Sequence, residues 1–365
     1  MTASSIILSV KNLQVTRGGV LVLDIPDLHL KEGEILSLIG PNGAGKTSLL
    51  LALALLLKNW KGEIHFRGEG ITTNPSALKY RRCLTLVFQE PLLFDTTVFE
   101  NVALGLRIRG WEKGKIQTSV EDNLKRFGIS HLRQRSARKI SGGEAHRVAL
   151  ARAFATQPEI LFLDEPFSAL DPPTRESLIE DLSQALRDTG TTTVFATHDR
   201  MEALRLSDRI AVMHGGKILQ VGPAWEVMNR PADEFVANFV GIETILSGKV
   251  TQTGRGTFVA SVMGKELEAV GEARIGETVV LCIRPENVTL SENPFPHRTS
   301  ARNVFPGRIR KIAPLGLFYR IELDCGFPLV SYITHQSMEK LSLMEGKNLT
   351  ASFKATAIHV VRKKS

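Results

Sequence analysis

The run Gly40-Pro41-Asn42-Gly43-Ala44-Gly45-Lys46-Thr47 constrains the fold more than any other part of the chain. It has the form G-x-x-x-x-G-K-[ST] and lies between an apolar run at 35–39 and a helix-like run that begins at Ser48, so it predicts a strand, a phosphate-binding loop and a helix. The glycines allow a tight turn whose N–H groups face one anion, and the helix start adds its positive dipole end. We expect Lys46 to reach the β- and γ-phosphates of a nucleotide and the Thr47 hydroxyl to ligate Mg²⁺. The alternative, a glycine-rich surface turn, does not explain either flank.

Composition favours an ordinary globular protein of two or three domains, with 365 residues, of which 43% are hydrophobic and 23% charged. Three separated cysteines, Cys83, Cys282 and Cys325, show no metal-binding spacing and indicate reduced thiols in a cytosolic protein. The start of the chain lacks a basic segment and a long apolar core, so no signal peptide is expected. The longest apolar stretch, Leu49–Leu57, is too short to span a bilayer.

Strand-like and helix-like segments alternate over the first 240 residues. The predicted strands are Ile6–Thr16, Val20–Leu30, Glu34–Ile39, Glu63–Phe66, Leu84–Phe88, Ile160–Asp164, Thr192–Ala196 and Arg209–His214. The predicted helices are Thr47–Lys58, Val98–Ile108, Lys113–Phe127, Gly142–Thr156, Thr174–Thr189 and Arg200–Leu206. This order favours an α/β core with a largely parallel sheet, an antiparallel edge from the first strands, and phosphate binding at the end of a central strand.

The pattern changes after Gly241, where short alternating segments punctuated by glycines predict an all-β, barrel-like region over 242–365. This region resembles itself weakly: Gly248-Lys249-Val250 recurs as Gly307-Arg308-Ile309, and the run at 276–279 recurs at 346–349. We therefore expect two related β modules, about 246–291 and 297–363, joined by a turn-rich stretch at 291–298. The alternative explanation is that β-barrel sequences in general share such short patterns.

The positive charge is concentrated in the tail. Residues 297–365 contain 12 Lys or Arg and 4 Asp or Glu residues, a net charge of +8 that equals the net charge of the whole chain. Such a segment can attract nucleic acid, anionic lipid or a small oxyanion, or it can be a solvated basic surface.

Four further motifs point to nucleotide chemistry. The apolar strand 160–163 ends in Asp164 and Glu165; Asp164 is expected to hold Mg²⁺ beside Thr47 and Glu165 to polarise the attacking water. Next, the Ser141-Gly142-Gly143-Glu144 run precedes an amphipathic helix and offers a hydroxyl and amides to a second phosphate. Two polar residues that follow strands, Gln89 and His198, are placed to reach the Mg²⁺, the water or the γ-phosphate, although each alone is more often a plain loop residue.

This set of motifs, over roughly residues 6–240, resembles the nucleotide-binding subunit of the ABC transporter family. The resemblance implies that 40–47 is Walker A, that Gln89 is the Q-loop, that 141–144 is the signature, that Asp164 and Glu165 are Walker B and catalytic base, that Ser168–Asp171 is the D-loop and that His198 is the switch histidine. It also implies a helical subdomain at about 90–155 and a homodimer that sandwiches two ATP molecules. A pair of membrane permease subunits would contact a groove beside Gln89, which places the protein at the cytoplasmic face of the membrane.

The chain departs from the family pattern in three places. The signature ends in Glu144 where glutamine is commoner, and Ala145-His146-Arg147 replaces a glutamine-rich continuation. Little loss is expected, because the serine and the glycines make the phosphate contacts. The third departure is Arg17, where the family usually places an aromatic residue against adenine; a guanidinium plane can also stack on a base, or Arg17 can simply be exposed.

The tail resembles two accessory modules of importers. The segment 281–288 looks like the accessory barrel of importer ATPases, whereas 299–307, 333–337 and 352–358 resemble molybdate- and tungstate-binding domains of the molbindin type. An oxyanion needs hydroxyl donors, backbone N–H groups and one or two cations, and the expected side chains are Ser300, Arg302, Lys354 and Thr356. Such sites form between two copies of the domain; a purely structural barrel is the alternative.

Together these features predict an ATP-hydrolysing subunit of an oxyanion importer, with tungstate favoured over molybdate on the general resemblance of 324–330 and with an external oxyanion-binding protein as an indirect partner. A sugar or polyamine importer with a structural barrel remains open. A nucleic-acid-associated ABC ATPase also remains, but the single nucleotide domain and the lack of an aromatic-rich basic patch argue against nucleic acid.

Overall fold

The computed structural model describes residues 5–71, 76–292 and 299–362, and it divides into two compact units, Met1–Trp225 and Glu226–Ser365. The linker predicted at 291–298 lies mostly outside the described residues. The sequence-based boundary after Gly241 falls later than the division between the units, because the helices α8 (Ala224–Asn229) and α9 (Glu234–Phe239) precede the first strand of the β region.

The first unit contains ten strands and seven complete helices among its described residues. The strands are β1 (Ile6–Arg17), β2 (Val20–Lys31), β3 (Ile35–Ile39), β4 (Trp60–Phe66), β5 (Glu69–Gly70), β6 (Leu84–Val87), β7 (Ile160–Asp164), β8 (Thr192–Thr197), β9 (Arg209–His214) and β10 (Lys217–Pro223). The helices are α1 (Lys46–Leu53), α2 (Ser76–Cys83), α3 (Val98–Ile108), α4 (Lys113–Arg126), α5 (Gly142–Ala155), α6 (Pro172–Thr189) and α7 (Arg200–Leu206).

The central sheet of the first unit has the strand order β10-β9-β3-β8-β7-β6, with parallel pairing from β9 to β6. Its strands are continuous apolar runs because both faces are covered: Ile160 to Leu163 in β7 are fully buried. A second, antiparallel sheet has the order β2-β1-β4-β5. The predicted α/β fold with an antiparallel edge is therefore confirmed, and the carboxyl ends of β3, β7 and β8 gather at one edge of the parallel sheet.

Helix α1 is shorter than the predicted segment Thr47–Lys58, because it ends at Leu53. Leu55 adopts a left-handed φ of 56°, and the Leu56 N–H donates to the Leu51 carbonyl, which closes the helix before the chain enters β4. The apolar run continues past this point because Leu55 and Leu57 still pack against the core. Hydrophobicity therefore marked burial correctly here, but it did not mark the end of the helix.

The second unit is mainly β structure. Its strands are β11 (Thr244–Thr253), β12 (Thr257–Val262), β13 (Lys265–Val270), β14 (Thr278–Ile283), β15 (Thr289–Ser291), β16 (Asn303–Leu315), β17 (Phe318–Asp324), β18 (Pro328–Thr334), β19 (Asn348–Phe353) and β20 (Ile358–Arg362), with a short helix α10 (His335–Lys340). They form two antiparallel sheets of five strands, which agrees with the expected all-β region.

The two sheets repeat one another. Their strand orders are β13-β12-β11-β14-β20 and β18-β17-β16-β19-β15, so β11 corresponds to β16 and β14 to β19. In each sheet the outer fifth strand comes from the other half: β20 pairs with β14, and β15 pairs with β19. The weak sequence repeat maps onto this arrangement, but the two modules exchange their last strands and share one apolar core that includes Leu281, Phe327 and Phe353.

Candidate functional site

The loop before α1 surrounds a cavity of about 430 Å³ in the first unit. Lining it are Val22, Asn42, Gly43, Ala44, Gly45, Lys46, Thr47, Ser48, Gln89 and Glu165. The loop fits only small residues at two points: a Cβ on Gly40 would come within 2.3 Å of the Met213 carbonyl oxygen, and Gly45 has a φ of +100°. A polar, glycine-rich concavity at the start of a buried helix is a site for phosphate groups.

Lys46 is held at the centre of this loop. Its side chain is 5% exposed, and its ammonium donates to the Gly40 carbonyl at 2.9 Å and to the Pro41 carbonyl at 3.3 Å. Burial lowers the pKa of Lys46, whereas the nearby carboxylates of Glu165 and Asp164 raise it. The Glu165 carboxylate lies 3.8 Å from the ammonium, so the cation is positioned between its own loop and the acidic pair.

Asp164 and Thr47 form the second part of the site. The Thr47 hydroxyl donates to the Asp164 carboxylate at 3.0 Å, across 117 residues of sequence. Burial raises the pKa of Asp164; the Thr47 hydrogen bond opposes that rise. The buried Asp164 carboxylate, the Thr47 hydroxyl and the amide of Gln89, which lines the same cavity as Thr47, form an oxygen-rich set suited to Mg²⁺. The described residues contain no cluster of three or more His, Cys, Asp or Glu with metal-binding geometry, so any cation here would rely on water and phosphate oxygens.

Glu165 and His198 meet beyond the strand ends. Glu165 follows β7 with a left-handed φ of 46°, and its carboxylate lies 3.1 Å from Nδ1 of His198, which follows β8. A left-handed glutamate costs roughly 1–2 kcal/mol and is retained where the surroundings impose it. The strained backbone therefore aims the carboxylate toward both Lys46 and His198, a feature that no sequence signal had indicated.

Helix α6 stabilises the loop that carries His198. Arg175 binds the carboxylates of Asp199 and Glu202, and Glu202 also accepts a hydrogen bond from the Thr197 hydroxyl. Burial raises the pKa of Glu202, while the Thr197 hydroxyl and Arg175 oppose that rise. Because Asp171 caps α6 by accepting from the Thr174 N–H, the segment Ser168–Asp171 and the His198 loop are joined through one helical turn.

The second predicted phosphate surface lies apart from the cavity. Ser141 caps α5 in a capping box: its hydroxyl accepts from the Glu144 N–H, and the Glu144 carboxylate accepts from the Ser141 N–H at 2.7 Å. Ser141 and Gly142 are exposed, and neither Ser141 nor Glu144 lines the cavity described above. A Cβ on Gly143 would come within 2.6 Å of Thr174, so this loop packs closely on the start of α6.

Arg17 stays outside the cavity. It is exposed at the end of β1, opposite Val20 of β2, and it does not line the cavity, whereas Val22 does. Its role at the adenine remains a prediction. Val22 is a lining residue that the sequence reasoning missed, because a half-buried valine in a strand carries no distinguishing signal.

In the second unit, the four predicted oxyanion residues lie at one end of a strand pair. Asn303 of β16 is opposite Phe353 of β19, so Arg302 and Lys354 directly flank this pair, and Ser300 and Thr356 are two residues further along. All four side chains are exposed. Within the part of the chain that the structure describes, neither Arg302 nor Lys354 has an ion-pair partner, in contrast to Arg310 and Arg320, which bind Asp324 and Glu243.

Sequence comparisons place both regions among transporter proteins. Residues 23–168 match the family model of the ABC transporter, and residues 299–360 match the TOBE domain. The chain is 38% identical over 334 residues to the molybdate/tungstate import ATP-binding protein WtpC of Pyrococcus horikoshii, covering 91% of this chain and 93% of that protein. It is equally 38% identical over 296 residues to the spermidine/putrescine import ATP-binding protein PotA of Fusobacterium nucleatum, covering 78% and 77%.

One solved structure of an ABC transporter component is similar in fold to this chain. The protein cbiO1 of Clostridium perfringens, part of the ABC transporter complex cbiONQ, aligns with a TM-score of 0.58 and 30% identity, over 65% of this chain and 95% of that one. Among the described residues, no helix is long and apolar enough to cross a membrane.

Proposed function

This chain belongs to the family of ABC transporter ATP-binding subunits, and from that premise we propose that it hydrolyses ATP to drive the import of an oxyanion, tungstate in preference to molybdate. As a member of the family it is an ATPase, and the TOBE domain and the names of its relatives support coupling to import. The single observation that carries the catalytic part is that Lys46, Thr47 and Glu165 line one cavity, with Asp164 bound to the Thr47 hydroxyl.

Each residue of the cavity has a separate task in this proposal. The loop amides and Lys46 bind the β- and γ-phosphates, and Thr47, Asp164 and Gln89 would hold Mg²⁺, which neutralises phosphate charge when bound. Glu165 accepts a proton from the attacking water, and His198, 3.1 Å from that carboxylate, keeps it oriented. The segment Ser141–Glu144, called the Ser141 loop below, does not line the cavity of its own chain. In this proposal it contacts the nucleotide bound by a second copy.

A surface beside Gln89 suits the membrane permease. Phe88, Leu92 and Phe94 are 39%, 60% and 57% exposed, and they follow directly after β6. Arg152 holds this segment by donating to the Leu92 carbonyl at 2.8 Å. An apolar surface that begins at a residue of the nucleotide cavity is suited to transmit the state of that cavity to a partner. A peripheral position at the cytoplasmic face of the membrane follows from this proposal.

Charge supports an oxyanion over a polyamine, the two substrate classes that the names of the relatives suggest. The net charge of +8 in residues 297–365 favours an anion over a polyamine, as do Arg302 and Lys354, which have no ion-pair partner within the described ranges. A polyamine remains the second candidate, because relatives with that specificity are equally similar to this chain. In the second unit, a cavity of about 480 Å³ is lined by the acidic residues Glu243, Glu322 and Asp324, although ion pairs with arginines already occupy these carboxylates.

The test is uptake by the assembled transporter. Proteoliposomes that contain this chain and its permease should show ATP-dependent uptake with tungstate and its binding protein, weaker uptake with molybdate, and none with spermidine. Excess tungstate on the cytoplasmic side should inhibit hydrolysis, whereas equal sulfate should not. Spermidine-driven turnover without any response to tungstate would replace the oxyanion proposal with the polyamine one.

A further inference from the structure

His146 is a buried histidine that the proposed catalytic groups leave without a role. It lies on α5 and is 7% exposed. Its Nδ1 is 2.9 Å from the Gly142 carbonyl oxygen, and its Nε2 is 3.2 Å from the Gln89 carbonyl oxygen. Both ring nitrogens therefore face backbone carbonyl oxygens, one in the same helix and one in the segment after β6.

The two carbonyls belong to segments with different tasks. Gly142 is the residue after Ser141, at the exposed start of α5, whereas Gln89 follows β6 and lines the nucleotide cavity. The two segments are separated by more than 50 residues of sequence, and the imidazole lies within hydrogen-bond distance of a carbonyl in each. A ligand or partner that displaces the Gln89 backbone will therefore act on the same side chain that contacts the Ser141 loop.

The number of donors limits what this side chain can do. A neutral imidazole carries one N–H, so it donates to one carbonyl at a time, because a carbonyl oxygen only accepts. A glutamine amide carries two N–H groups on one nitrogen and can serve two acceptors, whereas leucine serves neither. Substitution of His146 by glutamine or leucine therefore changes the number of hydrogen-bond donors while the side-chain volume stays roughly the same.

We propose that His146 is a positioning residue that couples the Gln89 segment to the Ser141 loop within one subunit. When Gln89 engages the nucleotide site or the permease surface, the shared imidazole sets the position of the Ser141 loop, which then faces the second copy. This inference rests on the proposed function, because it gives the Ser141 loop a task only in a dimer that shares its nucleotides. His146 itself touches no substrate.

The first experiment compares His146→Leu and His146→Gln in the assembled transporter. For His146→Leu we expect kcat to fall about tenfold, which corresponds to one lost hydrogen bond of about 1–1.5 kcal/mol, with KM for ATP within about twofold of wild type. His146→Gln is the matched control and should keep at least about half of the activity. Unchanged kcat in His146→Leu, or an equal loss in both variants, would overturn the proposal.

A double-mutant cycle with Gln89→Ala separates coupling from a general structural effect. Gln89→Ala keeps the backbone carbonyl that faces His146 but removes the side chain through which the Gln89 segment is proposed to engage the nucleotide site. The loss caused by His146→Leu should therefore shrink to about twofold or less in the Gln89→Ala background. A tenfold loss that persists in this background would show that His146 acts on packing alone, which a parallel thermal unfolding measurement would also register.

Two further controls keep the outcome decisive. If His146→Leu does not fold, His146→Asn replaces it: its shorter amide keeps polarity near Gly142 but falls short of Gln89, and we expect the same tenfold loss. If wild type fails to hydrolyse ATP in the transporter, the proposed function fails first. If wild type is active and none of the His146 variants differs from it, only the coupling fails.

Discussion

The two compact units of this chain use charge in opposite ways. In the first, Lys46 meets the adjacent Asp164 and Glu165, which lie more than 100 residues later in the sequence, at one edge of a parallel sheet. In the second, some cations are paired, as Arg310 is with Asp324, while Arg302 and Lys354 lie at the ends of two strands without an ion-pair partner among the described residues. The first unit therefore groups its charged residues around one cavity, whereas the second carries exposed cations at the ends of its strands.

The difference reflects how the two kinds of site are built. A phosphate loop is a contiguous segment whose backbone amides do the binding, so a single chain contains all of it. A site made of exposed side chains at strand ends holds an ion firmly only if something else covers it, such as a second copy. We expect substitutions in the first unit to have large effects on turnover and those in the second to have smaller effects on regulation.

The largest expected effect is that of Glu165→Gln, which should lower ATP hydrolysis by about 10²–10⁴-fold, because the group that accepts the proton of the water is lost. Nucleotide affinity should change little, since the loop and Lys46 are untouched, and the variant should accumulate as an ATP-bound dimer. Hydrolysis by the assembled transporter and ATP binding by the purified chain measure the two effects. Near-normal turnover would remove Glu165 from its proposed role.

Ser141→Arg should lower hydrolysis by about 10²–10³-fold, a loss typical of removing a donor to a developing anion, because it places bulk and charge at the exposed start of α5. Lys46→Ala should instead weaken ATP binding. A heterodimer of these two variants retains one composite site with an intact loop from one chain and an intact Ser141 from the other.

Co-expression with two affinity tags isolates that heterodimer. Its activity should recover to at most about half of wild type, while both homodimers stay inactive. If the Ser141→Arg homodimer is fully active, the shared-site dimer is excluded.

Much of the first unit was predictable because its signals are local and redundant. The strands β7 and β9 and the helices α3 and α7 begin and end where the sequence predicts, since apolar runs and caps such as Thr97 and Asp199 mark their ends. The segments that the sequence did not predict include α2, which is short and polar, and β5 and β10, which lie at sheet edges. Their structure depends on packing that no periodicity reveals.

The site was predictable in its members but not in its geometry. The motifs named Lys46, Asp164 and Glu165, but the left-handed backbone of Glu165 and the Gln89 carbonyl that faces His146 arise from contacts between distant segments. In the second unit, the repeat indicated related modules, but the exchange of β15 and β20 between the sheets could not be inferred, because strand pairing across more than 50 residues leaves no local signal.

Substitutions in the proposed oxyanion site should affect the regulation of ATP hydrolysis and not its basal rate. Arg302→Ala or Lys354→Ala should each weaken tungstate affinity about ten- to hundredfold, the loss expected for one charge-assisted hydrogen bond of about 1.5–3 kcal/mol. Inhibition of hydrolysis by excess tungstate should weaken in parallel, while basal hydrolysis stays unchanged.

Arg310→Ala is the matched control for this test. It removes one positive charge from the same sheet but from a residue already paired with Asp324, so tungstate affinity should stay within about twofold of wild type. Calorimetric titration of the full-length chain with tungstate, molybdate and sulfate measures the affinities. Equal losses for Arg302→Ala and Arg310→Ala would show that general charge, and not a site, attracts the anion.

The smallest effect on ATP hydrolysis is expected for a substitution at Glu144, the last residue of the Ser141–Glu144 motif. Glu144→Gln should leave hydrolysis within about twofold of wild type, because a glutamine carbonyl can also accept from the Ser141 N–H and complete the capping box. The Ser141 N–H bond lowers the pKa of Glu144, so the wild-type contribution to stability is present at neutral pH and is lost as acid protonates the carboxylate. Thermal unfolding of wild type should therefore lose this contribution on acidification, whereas Glu144→Gln should not. A large loss of turnover in Glu144→Gln with unchanged unfolding would instead mean that the carboxylate acts on the nucleotide of the second copy, and the phosphate chemistry of the first unit would extend beyond its own cavity.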